Sequence, residues 1–299
     1  MEQLSMPIGI HVYEKSRPIH TAILEEIDRL KLNGLTMSCA QIYAIGPKDA
    51  KENLSEDDKI NIKKIVEETG IKIYIHVSYL SNPWGTKSAF GRHLLKRELD
   101  IASDIGAKGI VMHLSKTSAD LIAQYIVTIP TTVKIFLEIE SYKASTNTYE
   151  TPNKLKNLFN KIIKLDETAS TRIGLCIDTA HVWSAGVDIS TRQKMTDWLD
   201  EIDQINVEKI VHLNDQVYDF GSGRDKHAPL TFGTIWSKYN HETGIIPISE
   251  SGLATIISWA IKNNINMILE RNDDEPKDAN MRPLCLNVDS DTQVVLRCQ

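Results

Sequence analysis

The chain has 299 residues, 41% of them apolar and 25% charged, with only 15 glycines and 10 prolines. These proportions exclude a disordered, collagen-like or fibrous chain. The 34 basic and 40 acidic residues leave a formal charge of −6, which by itself argues against a nucleic-acid partner, since such domains usually carry a basic excess. No apolar run approaches the roughly 18 residues of a membrane span, and Met1–Ser5 lacks the basic and apolar regions of a signal peptide. Four cysteines (Cys39, Cys176, Cys285, Cys298) share no C-x-x-C spacing and are too few for a disulfide framework. A reduced, soluble, intracellular protein is expected, in which any metal must be held by His, Asp and Glu.

Short β-rich apolar runs recur along the chain: Ile8–Val12, Met37–Tyr43, Ile71–Val77, Gly109–Leu114, Val133–Ile139, Ile173–Asp178, Ile210–Asn214 and Met267–Glu270. Between most of them lie stretches with helical periodicity, among them Asp57–Thr69, Lys87–Ile105, Lys154–Asp166 and Ser251–Asn263. Strand and helix alternating about eight times implies an all-parallel sheet, and a chain of this length fits a single (β/α)₈ TIM barrel. A doubly wound sheet is the alternative, but the Gly-rich phosphate turn after its first strand is missing. The barrel is expected to occupy residues 1–271. Residues 272–299 read as a tail in which Leu284–Val288 and Gln293–Leu296 are apolar, and no amphipathic helix closes the eighth unit.

Barrel enzymes place their reactive groups at the C-terminal ends of the strands. There the sequence puts His76, His113, Glu138, Asp178, His212 and Glu270, with His181 three residues past the sixth run and Asp225 and His227 in the loop after the seventh. Taken singly, a strand-end histidine is more often a hydrogen-bonded structural residue than a ligand. Yet the chain has only nine histidines, and five fall on these positions. Of the others, His20, His93 and His241 are scattered, and His11 ends the first run, where it can support the ligands from behind. Five imidazoles with four carboxylates form a donor set suited to zinc or manganese rather than magnesium or calcium. They are too many for one tetrahedral ion and suit two or three at bridging distance, a centre that activates water and clamps the oxygens of a phosphodiester. Asp178-x-x-His181 puts its two side chains on a strand tip and the following turn, so they can face different ions. Asp225-x-His227 alternates in an extended loop and points both the same way. Phosphoester hydrolysis is the reaction class this set implies.

Three divalent ions add six positive charges, enough to cancel the formal −6 and to make the pocket electropositive where a phosphate sits. Lys48, Lys87, Arg92, Lys116, Arg224 and Lys226 are the candidate cations around it; each alone is more often a solvated surface charge than a contact.

Specific motifs accompany these residues: His76-Val-Ser-Tyr79-Leu80-Ser-Asn82, Gly-Leu-Cys-Ile-Asp178-Thr-Ala-His181 with Ala185-Gly186, His212-Leu-Asn-Asp215, Asp225-Lys-His227 and Ile-Leu-Glu270. From about Gly9 to Arg271 the sequence resembles the endonuclease IV family of apurinic/apyrimidinic (AP) endonucleases. Ile-Gly46-Pro47-Lys48, Pro83-Trp84 and Ser88-Ala-Phe90 extend the likeness to its large-DNA-virus members of the African swine fever virus type. The resemblance implies three zinc ions per chain: His76 and His113 on the first, Glu138 bridging to a second completed by Asp178, His212 and Glu270, and His181, Asp225 and His227 on the third. It implies base excision repair on double-stranded DNA containing abasic sites or blocked 3′ ends. The cut falls 5′ to the lesion and leaves a 3′-hydroxyl and a 5′-deoxyribose phosphate, with 3′ trimming and possible 3′→5′ exonuclease activity. Glu270 would orient or deprotonate the attacking water, and Tyr79 and Leu80 would fill the gap in the duplex, with Lys48, Arg224 and Lys226 as further DNA contacts. A monomer is expected, in host cytoplasm or nucleus if the chain is viral, with packaging in a virion conceivable.

Departures from the family pattern are visible too. Glu138 is followed by Ile-Glu-Ser where cellular relatives have Asn-Thr, which leaves Glu140 as a weak competitor for the bridging role. Lys226 stands where an arginine is usual, keeping the charge but losing the bidentate fork. Glu270-Arg271 lacks the Thr-Pro common in cellular members, and the basic insert of nuclear or mitochondrial forms is absent. Two other readings compete. One is a metal-dependent sugar isomerase or dehydratase, which has no use for Asp225-x-His227 or the Tyr79-Leu80 pair. The other is a non-catalytic lesion-binding relative, which would be expected to have lost ligands.

Overall fold

Each of the eight apolar runs becomes a strand of one sheet: β1 (Ile8–Val12), β2 (Met37–Ile42), β3 (Lys72–His76), β4 (Gly109–His113), β5 (Lys134–Glu138), β6 (Ile173–Asp178), β7 (Glu208–His212) and, after two short rim strands β8 (Asp215–Gln216) and β9 (His227–Ala228), β10 (Met267–Leu269). The computed structural model describes residues 7–270 apart from 14–16, 33, 35, 85–87 and 240–245, together with the backbone of two tail strands. The barrel strands run parallel in the order β1-β2-β3-β4-β5-β6-β7-β10, and β10 closes back onto β1. The expected TIM barrel is therefore the fold.

Helices α1 (Ile19–Leu32), α2 (Glu56–Thr69), α3 (Ala89–Asp104), α4 (Ala119–Ile126), α5 (Pro152–Leu165), α6 (Ala169–Arg172), α7 (Thr179–Ser184), α8 (Arg192–Ile202) and α9 (Gly252–Lys262) connect the strands. Their starts are written into the sequence. Ser55 and Asp58 form a reciprocal capping box on α2, while Ser118, Thr191 and Ser251 accept backbone N–H groups at the starts of α4, α8 and α9. Ile62 and Ile65 on α2, and Leu155, Leu158, Phe159 and Ile162 on α5, recur at three- to four-residue spacing and are buried. Among the described residues, no helix is long and apolar enough to cross a membrane.

Inside the barrel Phe136 is fully buried, edge-on to Tyr74 with ring centroids 5.5 Å apart. A Cβ on Gly174 would lie 2.4 Å from the Phe136 ring, so only glycine leaves room for it. The seventh strand begins two residues earlier than its apolar run suggests, because the run starts after the polar pair Glu208-Lys209. It also ends earlier, since Asn214 N–H is taken by the Thr179 hydroxyl at 2.9 Å rather than by a neighbouring strand.

The tail contains no eighth helix among its described residues. Instead β11 (Leu284–Val288) and β12 (Val294–Cys298) pair antiparallel. The expected boundary at residue 271 lies outside the described residues.

Candidate metal centre

Side chains alternate along a strand, so inward-facing positions recur every second residue. A buried layer of Cys39, Tyr74, Val111, Phe136, Cys176, Ile210 and Ile268 fills the barrel. Two residues further along each strand, on the same inward parity, stand Gln41, His76, His113, Glu138, Asp178, His212 and Glu270. β1 follows with His11 two positions beyond Gly9. The hydrophobic layer thus forms the floor of a polar ring to which every barrel strand contributes.

Glu138 occupies the centre of that ring. Its Oε2 lies 3.3 Å from His76 Nε2 and 3.0 Å from His113 Nε2, and its Oε1 lies 3.0 Å from His212 Nδ1. His212 Nδ1 also faces Glu270 Oε2 at 3.4 Å and Asp178 Oδ2 at 3.9 Å. Ligand atoms of His76, His113 and Glu138 fall within 4.8 Å of one another, as do those of Glu138, Asp178, His212 and Glu270, and those of Asp178, His181 and His227. Asp225 joins the third group, with Oδ2 3.4 Å from His181 Nε2 and Oδ1 3.1 Å from His227 Nε2. Local chemistry places these last residues. Asp178 caps α7 by accepting His181 N–H at 2.9 Å, and pairing of β9 with β8 sets His227 opposite Gln216.

Partners outside the ring fix which nitrogen of each imidazole turns inward. His76 Nδ1 lies 2.9 Å from Val77 O and His181 Nδ1 lies 2.7 Å from Ile139 O, so in both rings Nδ1 carries the proton and Nε2 is left facing the ring. His113 turns Nδ1 toward Glu140 Oε1 at 3.5 Å. Glu140 therefore stands behind His113, and it is Glu138 that lies between His113 and His212. His212 is reversed: Nε2 is satisfied by Gln41 Oε1 at 2.9 Å, and Nδ1 faces the carboxylates.

Burial opposes every charge here, yet His113 and His212 hold the Glu138 carboxyl well below its usual range. Burial is likewise outweighed at His227, where Asp178 and Asp225 hold the imidazole up at about 9, and at His181, which Asp178 and Asp225 raise well above its usual value. Buried Glu138 Oε2 meets only the Nε2 atoms of His76 and His113, and His227 Nε2 only the carboxylates of Asp178 and Asp225, none in hydrogen-bonding geometry, the arrangement of ligand atoms directed at an ion. Cys176 also approaches Glu138 and His212, but burial raises its thiol well above its ordinary value, which disfavours the thiolate a metal needs. The donor set and its orphaned atoms fit divalent metal.

The rim presents the other expected residues. Tyr79 and Leu80 are 48% and 38% exposed, unusual for adjacent large apolar side chains, and the Tyr79 ring lies 5.5 Å from that of His113. Lys48, Arg92, Lys116, Arg224 and Lys226 are exposed. Arg92 Nε donates to Pro83 O at 3.1 Å, so it serves the fold. Arg224 lies 3.7 Å over the Tyr218 ring and Lys116 4.5 Å over Tyr142. Lys87 and His241 lie outside the described residues, and His20 pairs with Asp58 at 2.8 Å, away from the site.

With this geometry in place, similarity to known proteins becomes informative. Residues 30–258 match the model of a family described as xylose isomerase-like TIM barrel. A probable AP endonuclease of African swine fever virus (isolate Tick/South Africa/Pretoriuskop Pr4/1996) is 36% identical over 248 residues, 80% of each chain. A probable endonuclease 4 of Mycoplasma mobile is 30% identical over 251 residues, 79% of this chain and 85% of that one. The crystal structure of AsfvAP:AG superposes with a TM-score of 0.82 at 32% identity, covering 90% of this chain and 92% of that chain. The chain belongs to the endonuclease IV family of AP endonucleases. As a member it is a hydrolase of the nuclease class.

Gln41 and Asn214 support this AP endonuclease family site without having been expected there, whereas His11 stands behind the ligands as its place at the end of the first run suggested. Gln41 bridges His212 and Glu270, donating Nε2–H to Glu270 Oε1 at 2.7 Å. Asn214 donates to Asp178 Oδ2 at 2.8 Å and to Glu270 Oε2 at 3.1 Å. His11 Nδ1 lies 3.3 Å from Glu270 Oε1. The available signal for Gln41 was a lone polar residue on the inward parity of an otherwise apolar strand.

Proposed function

We propose that the chain is a zinc-dependent AP endonuclease of base excision repair, cutting the phosphodiester 5′ to an abasic site to leave a 3′-hydroxyl and a 5′-deoxyribose phosphate, and trimming blocked 3′ ends. The observation that carries this reading is the convergence of nine His, Asp and Glu side chains into three adjoining ligand groups around Glu138 and Asp178. His76 and His113 would hold one zinc, Asp178, His212 and Glu270 a second shared through Glu138, and His181, Asp225 and His227 a third. Bound there, zinc would supply an acidified water and offset the charge of the phosphodiester oxygens. The rest falls to the chain. Glu270 is fixed by Gln41, Asn214 and His11, so its carboxylate is oriented to align the attacking water or take its proton. Tyr79 and Leu80 would enter the step vacated by the missing base, where unstacking costs least. Lys48, Arg224 and Lys226 would hold flanking phosphates. The sugar isomerase alternative gives no reason for an exposed Tyr-Leu pair beside the metal ligands. The chain is taken to act as an intracellular monomer, its activity residing in residues 1–271.

The test uses metal-analysed protein on a duplex with one tetrahydrofuran abasic analogue, beside an intact duplex. The analogue cannot undergo β-elimination, so a cut at the lesion leaving a 3′-hydroxyl, with about three zinc ions per chain, supports the proposal. Full zinc with tight lesion binding and no cut refutes the enzymatic part.

A further inference from the structure

Behind the Tyr79-Leu80 turn stands a carboxylate that the metal centre does not use. Glu98, on α3, is completely buried. Its Oε1 accepts Ser78 N–H at 2.8 Å, and its Oε2 accepts the Ser81 hydroxyl at 2.5 Å. One buried acid thus grips the residues immediately before and after the exposed pair. The turn is tied sideways as well: Tyr79 N–H reaches Pro47 O at 3.1 Å, and the Ser78 hydroxyl donates to Gly46 O at 2.9 Å. The same helix holds the next stretch of chain. A Cβ on Gly91 would lie 2.2 Å from Asn82 O, so this glycine lets the loop backbone sit directly on the helix, and the Ser88 hydroxyl donates to Pro83 O at 2.8 Å. Residues 78–83 are therefore anchored along their length, while the two side chains between the Glu98 contacts stay partly exposed at the rim, with the Tyr79 ring against that of His113. Burial pushes the Glu98 carboxyl up to about 7, so the buried acid sits there at a desolvation cost that its hydrogen bonds to the turn oppose.

We infer that Glu98 is a positioning residue for lesion recognition, its buried carboxylate holding the 78–81 turn so that Tyr79 and Leu80 are poised to enter the space left by a missing base. The inference rests on the AP endonuclease reading and assigns a second layer to it. A turn held rigid in advance spares the complex the cost of ordering it on binding. Because Glu98 touches neither metal ligand nor DNA, its effect is on discrimination between damaged and intact duplex.

The experiment compares wild type with Glu98→Leu, Glu98→Gln and Ser81→Ala, measuring affinity for abasic-analogue and intact duplexes, KM and kcat, metal content, and fluorescence of a 2-aminopurine opposite the lesion. Glu98→Leu leaves both donors unanswered and is expected to lower the lesion-to-intact affinity ratio about tenfold or more, raise KM more than it lowers kcat, and alter the 2-aminopurine signal at undiminished metal content. Glu98→Gln keeps one acceptor and falls between it and wild type. Should Glu98→Leu fail to fold, Ser81→Ala carries the test, with an expected loss of about threefold or more. Folded variants whose ratio stays within about twofold of wild type overturn the inference while leaving the enzyme reading intact. A wild-type protein with no lesion preference overturns both.

Discussion

Replacing Glu98 with glutamine should make the protein gain stability relative to wild type as the solution becomes alkaline. The Glu98 carboxyl is raised from the ordinary glutamate value of 4.5 to about 7, chiefly by burial, with the Ser81 and Ser78 hydrogen bonds opposing. An acid whose folded value lies above its unfolded one binds more protons folded than unfolded between those limits. Stability from this group is therefore complete below pH 4.5 and is lost as pH rises toward and through 7. A displacement of that size corresponds to about 3 kcal/mol. Glutamine has the same shape and cannot ionise, so the difference in unfolding free energy, variant minus wild type, should grow by about 2 to 3 kcal/mol between roughly pH 5 and pH 8. Urea unfolding of both proteins, matched for metal and salt, measures it. The offset at pH 5 reports only exchanged hydrogen bonds; the change in offset reports ionisation. Parallel curves, with an offset constant within about 0.5 kcal/mol, would show that Glu98 ionises freely and that its burial has been misjudged.

Other outcomes follow from the site. Glu270→Gln should reduce cleavage of an abasic duplex by about a hundredfold or more while lesion binding survives, because the acid proposed to align and deprotonate water is gone but the rim is untouched; a variant with near-normal turnover refutes the assignment. Gln41→Leu strips His212 Nε2 of its acceptor and Glu270 of a donor, so zinc affinity, read by competition with a chromophoric chelator, should fall about 10- to 100-fold. Unchanged affinity means the ring holds its ligands without help. Chelation should weaken duplex binding as well as cleavage, by about tenfold or more at low salt; anisotropy that is indifferent to metal removal contradicts the charge argument below.

The fold was legible because two periodicities were clean. Alternating runs marked the strands, and three- to four-residue spacing marked α2, α3, α5 and α9. Strand ends then made most of the candidate metal centre legible too, since His76, His113, Glu138, Asp178, His212 and Glu270 stand at or near the ends of their runs, and the structure sets each two residues beyond a member of the buried interior layer. Orientation was not. His212 turns Nδ1 to the ring where His76 and His181 turn Nε2, and the difference lies in Gln41, which is far away in sequence and reaches His212 only across the closed barrel. Glu140 illustrates the same limit. Two residues past Glu138 it shares that face, but β5 ends at Glu138, and Glu140 reaches the outer nitrogen of His113 instead of the centre. Glu98 was invisible because a single acid within an amphipathic helix looks like any solvated charge until a loop folds over it. In residues 272–299 the runs Leu284–Val288 and Gln293–Leu296 stood out, and they largely coincide with β11 and β12, but nothing in them foretold that the two would pair with each other.

A net charge of −6 and a polyanionic substrate remain compatible because the acidity is not spread evenly. Glu138, Asp178 and Glu270 lie at the bottom of the ring with 1%, 0% and 8% of their side chains exposed, and Asp225 and Glu140 stand just above them. Glu138, Asp178 and Glu270 are turned toward one another and toward imidazoles rather than toward solvent, and Asp225, though partly exposed, faces His181 and His227, which is where a cluster of divalent ions would absorb their charge. Outside the ring the sign changes. Lys116, Lys143, Arg224 and Lys226 are exposed on the loops after β4, β5 and β8, and two of the four are braced on tyrosine rings. An approaching phosphate meets this rim before it meets the ring. Formal charge summed over a sequence weighs all these groups equally, whereas the barrel sorts them by depth. Whether the mouth attracts or repels DNA would therefore be decided by what fills the centre, and the nine side chains proposed to serve hydrolysis would also set the sign of the field that meets the substrate.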